Sequence, residues 1–203
     1  MMFYDSVGPN PRVVRMFAAE KGIELPKTKV DLRGGENRQA AFMAKNPAGQ
    51  LPALELDDGS VIAEITAICE YLDEIGIGPS LIGATPAERA ANRMWLRRID
   101  LNILEPLANG FRFGAGLKIF QDRIRVMPQA AEDLRTLAQE RLVWLNGLIE
   151  GRQFIAGNKI TLADVLLYVF LEFGAQVGQP VDPANTNIVA LVERMKGRPS
   201  AAA

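Results

Sequence analysis

The stretch NPAGQLPALELDDGSVIAEITAICEYL, residues 46–72, decides the fold of this chain of 203 residues. PALELDD and SVIAE are predicted strands, because the Asp58-Gly59 pair between them is a strong β-hairpin signal. ITAICEYLDEI is a predicted helix, since apolar residues recur on one of its faces. These residues are Ile65, Ile68, Leu72 and Ile75. A hairpin followed by a helix favours a small sheet with helices packed on it.

Pro52 stands at the start of the first of these strands, although proline lacks the N–H that a strand ladder uses. A cis Leu51-Pro52 bond would turn the N–H and carbonyl of Leu51 outward, where they can pair with an extended peptide. The alternative is an ordinary edge-strand or turn proline. The first interpretation predicts a peptide-binding position at Leu51.

Glu64-Ile65-Thr66 stands where a predicted strand meets a predicted helix. The unpaired N–H groups of a helix start attract anions, so the amides of Ile65 and Thr66 can hold a carboxylate. Glu64 can accept a hydrogen bond from an ammonium group of the same ligand. The alternative is a solvated acid that the helix dipole favours. Together with Leu51, these residues predict a site for a small zwitterionic peptide.

The first part of the chain alternates predicted strands and helices in the order β-α-β-α-β-β-α. MFY and PKTKVDL are the remaining strands, and ENRQAAFMAK is a weaker helix. NPRVVRMFAAEKG is a clearer helix, with Asn10 as its cap, Pro11 at its first helical position and Gly22 at its end. The prediction for residues 1–76 is an α/β domain with a mixed four-stranded sheet.

GIGPSLIGA interrupts this alternation and predicts a linker over residues 77–84. The chain beyond it is predicted to be entirely helical, forming a helical-bundle domain over residues 85–203. Thr85 begins a capping box with proline next to it, and Thr161 begins a second one, completed by Asp164. The helix after Thr161 is apolar nearly all round, which is typical of the centre of a bundle.

The composition excludes several kinds of site. Lys+Arg 23 against Asp+Glu 24 gives a net charge of -1, which argues against a nucleic-acid binder, and no polybasic or lipidation signature indicates a membrane surface. The chain has no histidine, which removes Ser-His and Cys-His nucleophiles and the commonest zinc ligand. Its longest apolar run is too short to span a bilayer. We expect a cytoplasmic protein without a metal, a membrane partner or a nucleic-acid partner.

The sequence resembles the soluble glutathione transferase family of bacterial type. The resemblance lies in NPAGQLPAL (46–54), DG (58–59), EITAI (64–68), YL (71–72), PNPRVVRMFAAEKGIEL in the first helix and ITLADVLLY in the helical domain. It runs over most of the chain, and the pieces occur in the family's order at the family's separations.

The resemblance implies a thioredoxin-like N-terminal domain, an all-α C-terminal domain and a homodimer. It also implies a cis bond at Pro52, glutathione held through Leu51, and its γ-glutamyl group held at Glu64 and Ile65. Gln50 matches a position that often meets the glycine end of glutathione. Where the family usually has Ser or Thr, this chain has Ile65, which keeps the backbone N–H but lacks the hydroxyl.

Glutathione is the co-substrate that this resemblance implies, and its thiolate is the nucleophile. A thiolate-stabilising donor is expected between the first strand and the first helix, where Ser6 is the first candidate and Asn10 the second. The alternatives are a turn-forming Ser6 and a purely capping Asn10. Tyr4 carries a phenol but is expected to lie within the strand. Cys69 is predicted to be a small buried hydrophobe rather than a nucleophile.

The second substrate is expected to be a small apolar electrophile that meets the helical domain. Phe111 and Phe113, near a break in a long helix, are the candidates for its pocket; the alternative is that they are core or dimer contacts. The predicted function is glutathione transfer to such an electrophile. The competing hypotheses are a non-catalytic interaction protein with the same fold and a glutathione-dependent isomerase or dehalogenase.

Overall fold

The computed structural model describes residues 1–203 and divides the chain into two compact units. The first is Met1–Ala84 together with Pro199–Ala203, and the second is Thr85–Arg198. The predicted helical domain, residues 85–203, includes these last five residues. They belong to the first unit because Arg12 donates to the carbonyls of Ala201 (3.0 Å) and Ala203 (3.4 Å).

The first unit contains a four-stranded mixed sheet, as predicted. Its strands are β1 (Met2–Asp5), β2 (Lys27–Lys29), β3 (Ala53–Glu55) and β4 (Val61–Ala63), in the order β2-β1-β3-β4. β1 is parallel to β2 and antiparallel to β3, and β3 is antiparallel to β4. The sheet therefore has the strand pattern of a thioredoxin-like domain.

Three helices accompany this sheet. They are α1 (Pro9–Glu20), α2 (Ala40–Met43) and α3 (Ile65–Ile75). The predicted helix over residues 36–45 is instead a 3-10 turn, Glu36–Arg38, followed by the short α2, because Gln39 between them has extended backbone dihedrals. α3 has the predicted bounds, but Ile75 is 48% exposed, and Asp73 takes a buried place on that face.

The predicted cap of α1 at Asn10 is wrong. Gly8, with φ of +106°, occupies the cap position, and the helix already includes Pro9. The reason is that glycine adopts this dihedral freely, whereas the fixed φ of proline suits the first helical residue. Asn10 is therefore inside the first turn, where its side chain is not needed to begin the helix.

The predicted linker is fastened to the first unit by a buried ion pair. The Nζ of Lys21 lies 3.2 Å from a carboxylate oxygen of Asp73 and donates to the carbonyl of Pro79 at 3.0 Å. Asp73 also accepts from the hydroxyl of Ser80 (2.6 Å) and from the N–H of Leu81 (2.8 Å). Both charges are thus compensated by several hydrogen bonds, as buried charges require.

The second unit is entirely helical. Its α-helices are α4 (Pro86–Ile99), α5 (Glu105–Phe113), α6 (Leu117–Phe120), α7 (Ala131–Leu148), α8 (Leu162–Gln176) and α9 (Thr186–Lys196). The predicted capping boxes at Thr85 and Thr161 are both present. No helix combines the length and the apolar character that crossing a membrane needs.

A π-helical turn, Asp100–Leu104, joins α4 to α5. Pro106 lies two residues after it, and a proline removes one N–H and crowds the carbonyl four residues earlier. A wider turn at this point accommodates that loss. The long helix predicted to be broken near Phe111 and Phe113 is thus interrupted before Phe111, at this turn, and ends at Phe113.

Candidate functional site

The register of the sheet brings three separate segments to one edge. Tyr4 pairs with Ala53, and Ala53 pairs with Ala63. Because β3 runs against both neighbours, the chain leaves β1 and β4 on the side where it enters β3. The loop after β1, the Leu51-Pro52 bond before β3 and Glu64 after β4 therefore lie in neighbouring rows.

The Leu51-Pro52 peptide bond is cis, as the resemblance implied. The side chain of Leu51 is buried in a cluster with Val30, Phe42 and Ala53. Its backbone N–H and carbonyl form no hydrogen bond within the chain, since β3 pairs only from Ala53 onward. A backbone that is anchored by its side chain and unpaired on both polar groups can accept an extended peptide.

Glu64 gives the start of α3 an unusual geometry. It is the only residue other than glycine with a positive φ, at 70°, and its side chain does not cap the helix. The first helical hydrogen bond runs from the N–H of Ile68 to the Glu64 carbonyl, so the amides of Ile65 and Thr66 have no partner in the chain. Strained backbone of this kind concentrates at functional sites.

Ser6 is buried in the row next to this edge. Its hydroxyl donates to the carbonyl of Val30 at 2.8 Å, and its N–H donates to Asp5 at 2.9 Å. Arg15 forms an ion pair with Asp5 at 2.5 Å and reaches the Ser6 carbonyl at 3.5 Å. The hydroxyl proton of Ser6 is thus already engaged within the protein.

Asn10 occupies the second helical position of α1 and is half-buried. Pro9 and Pro11 on either side have no N–H, so Asn10 supplies the one backbone donor among the first three helical residues. Its side-chain amide has no hydrogen bond in the structure. Asn10 therefore combines a free side-chain donor with the positive end of a helix dipole.

Comparison with known proteins identifies the family. A family model of the glutathione S-transferase N-terminal domain matches residues 7–75, and one of the glutathione S-transferase C-terminal domain matches residues 121–199. Glutathione S-transferase 2 of Saccharomyces cerevisiae is 33% identical over 98% of this chain and 87% of that protein. The chain belongs to the glutathione S-transferase family. Membership supports a glutathione-binding transferase activity.

Two further relatives extend the comparison. The crystal structure of a glutathione S-transferase domain-containing protein from Marinobacter aquaeolei VT8 is 36% identical, with a TM-score of 0.91 over 98% of this chain and 99% of that one. Maleylacetoacetate isomerase of Pseudomonas aeruginosa is 30% identical over 83% of this chain and 78% of that protein. The family fold therefore extends over essentially the whole chain.

Tyr4 lies within β1, as expected, and its phenol is engaged in a hydrogen bond. It donates to Glu55, which also binds Lys45 at 2.7 Å. The hydrogen bond between Lys45 and Glu55 raises the pKa of Lys45 and lowers that of Glu55. The phenol of Tyr4 is thus already engaged within this half-buried network.

Cys69 is buried, as predicted. Burial raises the pKa of its thiol well above the usual value, and the nearby charge of Asp73 adds to this effect. Since the thiolate is the reactive form, Cys69 is inert. No group of three or more His, Cys, Asp or Glu side chains in the chain is arranged to hold a metal ion.

The two phenylalanines of the predicted electrophile pocket differ in their surroundings. Phe113 is buried in the helical unit, with 6% of its surface exposed. Phe111 is half-buried and makes edge-to-face contacts with Phe120 and Phe173, whose ring centroids lie 6.0 and 5.3 Å away. Of the two, Phe111 has surface left for a substrate.

Sequence reasoning missed three side chains that support the site. Asn37 and Asn46 are buried beneath the loop that presents Leu51, and Arg15 braces the loop after β1. Their partners lie 4 to 12 residues away, and the pairings depend on how the loops fold. The only available signal was the place of Asn46 at the head of the NPAGQLP motif.

Proposed function

We propose that this transferase binds glutathione in an extended form and directs its thiolate at a small apolar electrophile. The observation that carries the proposal is the row of unpaired backbone groups at one sheet edge: Leu51 on one side, and the amides of Ile65 and Thr66 on the other. Leu51, next to the cis bond at Pro52, pairs with the cysteinyl backbone. The γ-glutamyl carboxylate lies on the α3 amides, and Glu64 accepts from its ammonium group.

Gln50 and Ile65 complete the binding site in this proposal. Gln50 is exposed beside Leu51, where its side-chain amide can meet the glycine carboxylate of glutathione. Ile65 contributes its N–H alone, because isoleucine has no hydroxyl. The carboxylate is then bound mainly by main-chain donors and by the positive end of α3.

Thiolate formation is the chemical step that the site must promote. A thiol with a pKa of about 8.5 is only a few per cent ionised at neutral pH, and lowering that pKa by two units takes about 2.7 kcal/mol. One charge-assisted hydrogen bond contributes about 1.5–3 kcal/mol, and a helix N-terminus about 0.3–1. Hydrogen-bond donors near α1 are therefore sufficient.

Asn10 and Ser6 are the proposed donors, in that order. The side-chain amide of Asn10 is available as it stands, whereas Ser6 must release the carbonyl of Val30 before its hydroxyl can turn to the thiolate. We expect Asn10→Ala to lower kcat/KM about 10- to 100-fold and Ser6→Ala to lower it less. Asn158→Ala is the matched control at an exposed asparagine. Full activity in both site variants would contradict the assignment.

Phe111 is the proposed contact for the apolar electrophile, with Phe113 behind it in the core. Aromatic rings bind flat apolar substrates through burial and edge contacts. Phe111→Ala should raise the KM for an aryl halide more than the KM for glutathione. An unchanged KM for the aryl halide would remove Phe111 from the site.

Calorimetric titration with glutathione tests the binding function. We expect a dissociation constant in the micromolar range and conjugation of a model aryl halide by the same preparation. Millimolar or absent binding would instead support the non-catalytic interaction protein. The homodimer that the resemblance implies and the cytoplasmic location expected from the sequence stay predictions.

A second candidate is isomerisation with glutathione as a true cofactor. The likeness to maleylacetoacetate isomerase over 83% of the chain favours it. The thiolate would add to a conjugated double bond and leave again after bond rotation. Measuring glutathione during turnover separates the two functions, because a transferase consumes one thiol per product and an isomerase consumes none.

A further inference from the structure

We propose that Asn46 and Asn37 are positioning residues for glutathione, a role that rests on the proposed function. Both are almost fully buried, each with 4% of its surface exposed. Because both side chains are buried, neither asparagine contacts the ligand directly. They act through the backbone of the loop that ends at Leu51.

Asn46 binds this loop at three points. Its side-chain NH₂ donates to the carbonyl of Gln50 at 2.9 Å, and its side-chain oxygen accepts from the N–H of Ala48 at 3.2 Å. Its own carbonyl accepts from the N–H of Gly49 at 2.9 Å. The loop is thereby closed on the asparagine that begins it.

The bond to Gln50 has a direct consequence for Leu51. The carbonyl of Gln50 and the N–H of Leu51 belong to one peptide unit, which is planar and trans. In such a unit the carbonyl and the N–H point in opposite directions. An amide that fixes the Gln50 carbonyl on the protein side therefore aims the Leu51 N–H away from it, toward the ligand.

Asn37 fixes the preceding peptide unit. Its side-chain NH₂ donates to the carbonyl of Gly49 at 2.6 Å. Gly49 has a φ of +59°, and a β-carbon there would stand 3.0 Å from the sulfur of Met43 and 3.3 Å from the Asn37 carbonyl. The loop thus packs closely against Asn37 at a residue where only glycine is free of strain.

The two asparagines constrain successive carbonyls, and Asn46 is the one adjacent to Leu51. A lost hydrogen bond at this position allows the Leu51 N–H to rotate out of line with the bound peptide. The loss falls on recognition of the glutathione backbone rather than on its thiol, because neither asparagine lies in the loop between β1 and α1 that supplies the thiolate donors.

The experiment compares Asn46→Ala, Asn37→Ala and the exposed control Asn158→Ala, with glutathione and S-methylglutathione as probes. S-methylglutathione has the same backbone but no ionisable thiol. We expect Asn46→Ala to weaken binding of both probes about tenfold and Asn37→Ala about threefold. The pKa of the bound glutathione thiol and kcat at saturating glutathione should stay unchanged, as should binding in the control.

Asn46→Asp covers the case in which the alanine variants do not fold. It keeps the acceptor for Ala48 and the side-chain volume, but it places an oxygen opposite the Gln50 carbonyl, so it should also lose at least tenfold in affinity. A folded Asn46→Ala or Asn46→Asp protein that binds both probes like the wild type would overturn the inference, even if its melting temperature falls. Wild-type protein that binds neither probe would instead overturn the proposed function and this inference with it.

Discussion

The starts of α3 and α8 differ in whether side chains cap them: Thr161 and Asp164 form a capping box at α8, and α3 has no side-chain cap. At α8, the buried carboxylate of Asp164 accepts from the N–H of Ile155 (2.7 Å) and from the N–H and hydroxyl of Thr161 (both 2.8 Å). At α3, Glu64 adopts a positive φ and offers no side-chain cap, and the amides of Ile65 and Thr66 are among those left unpaired.

The difference separates a structural helix start from the one that we propose binds a ligand. A cap fills the positions that a bound carboxylate would occupy, so a helix start cannot be both capped and open to a ligand. The three donors at Asp164 are satisfied by the protein and stabilise the fold. The amides at Ile65 and Thr66 are unpaired and are the ones to which we assign the glutathione carboxylate, and the protein retains a strained residue there.

Removing the buried Asp164 carboxylate at the start of α8 should have the largest effect on the stability of the protein. Asp164→Ala leaves two N–H groups and a hydroxyl without an acceptor, at about 1–3 kcal/mol for each buried group. We expect the free energy of unfolding to fall by about 4 kcal/mol in urea denaturation. Glu64→Ala, the matched change at α3, should alter it by less than about 0.5 kcal/mol. A loss below about 1 kcal/mol in Asp164→Ala would mean that the cap is dispensable.

The pH dependence of stability also depends on the buried carboxyl of Asp164. Burial raises the pKa of Asp164 from 3.8 to about 6, against the hydrogen bonds from Ile155 and Thr161 that favour the ionised form. A raised carboxyl pKa means that the folded state binds the proton more tightly. Protonated Asp164 therefore stabilises the folded state fully below pH 3.8. This stabilisation, about 3 kcal/mol in total, is lost as pH rises through 6.

This contribution is measured as the difference in unfolding free energy between wild type and Asp164→Asn, which cannot titrate. As pH rises from 4 to 7, the unfolding free energy of the wild type should fall relative to that of Asp164→Asn. A difference that is flat over this range, or that shifts in favour of the wild type, would contradict the raised pKa.

The exposed capping box of α4 gives a smaller effect of the same kind. Thr85 accepts from the Glu88 N–H at 3.2 Å, and Glu88 accepts from the Thr85 N–H at 3.1 Å. Water can replace these bonds, so Thr85→Ala should cost about 1 kcal/mol and Thr85→Ser only a few tenths. Equal losses in the two variants would show that the hydroxyl is not what stabilises this helix start.

Glycine at position 64 should separate stability from binding at α3. Glu64→Gly relieves backbone strain of about 1–3 kcal/mol but adds about 0.5–1 kcal/mol of chain entropy, so we expect a net gain of about 1 kcal/mol. Glu64→Ala keeps the strain and should show no gain. Both variants should bind glutathione more weakly by calorimetry, since both lack the carboxylate. A Glu64→Gly protein less stable than Glu64→Ala would contradict the strain.

Local signals in the sequence predicted much of this fold. The bounds of α3, the Asp58-Gly59 hairpin and the boxes at Thr85 and Thr161 all depend on neighbours within a few residues. The cis bond at Pro52 followed from the family motif. The helix bounds, the hairpin and the capping boxes are fixed by short-range chemistry that the sequence displays directly, whereas the cis bond was implied by the resemblance.

The features that the sequence predicted wrongly or missed are set by contacts between distant residues or by a competing helix cap. The end of the chain joins the first unit through Arg12, almost 190 residues away. The hydroxyl of Ser6 is engaged by Val30, 24 residues away, and the amide of Asn37 by Gly49. Gly8 replaces Asn10 at the start of α1 because it tolerates a positive φ. None of these pairings has a local periodicity or motif.

Nuclear magnetic resonance of ¹⁵N-labelled protein titrated with glutathione tests whether the unpaired amides of Leu51, Ile65 and Thr66 bind the ligand. The account predicts that the amide signals of Leu51, Ile65 and Thr66 move together with saturation and gain protection from hydrogen exchange, whereas that of Ile155 at the α8 cap stays unchanged. Saturable binding that leaves the amides of Leu51, Ile65 and Thr66 unaffected would contradict it.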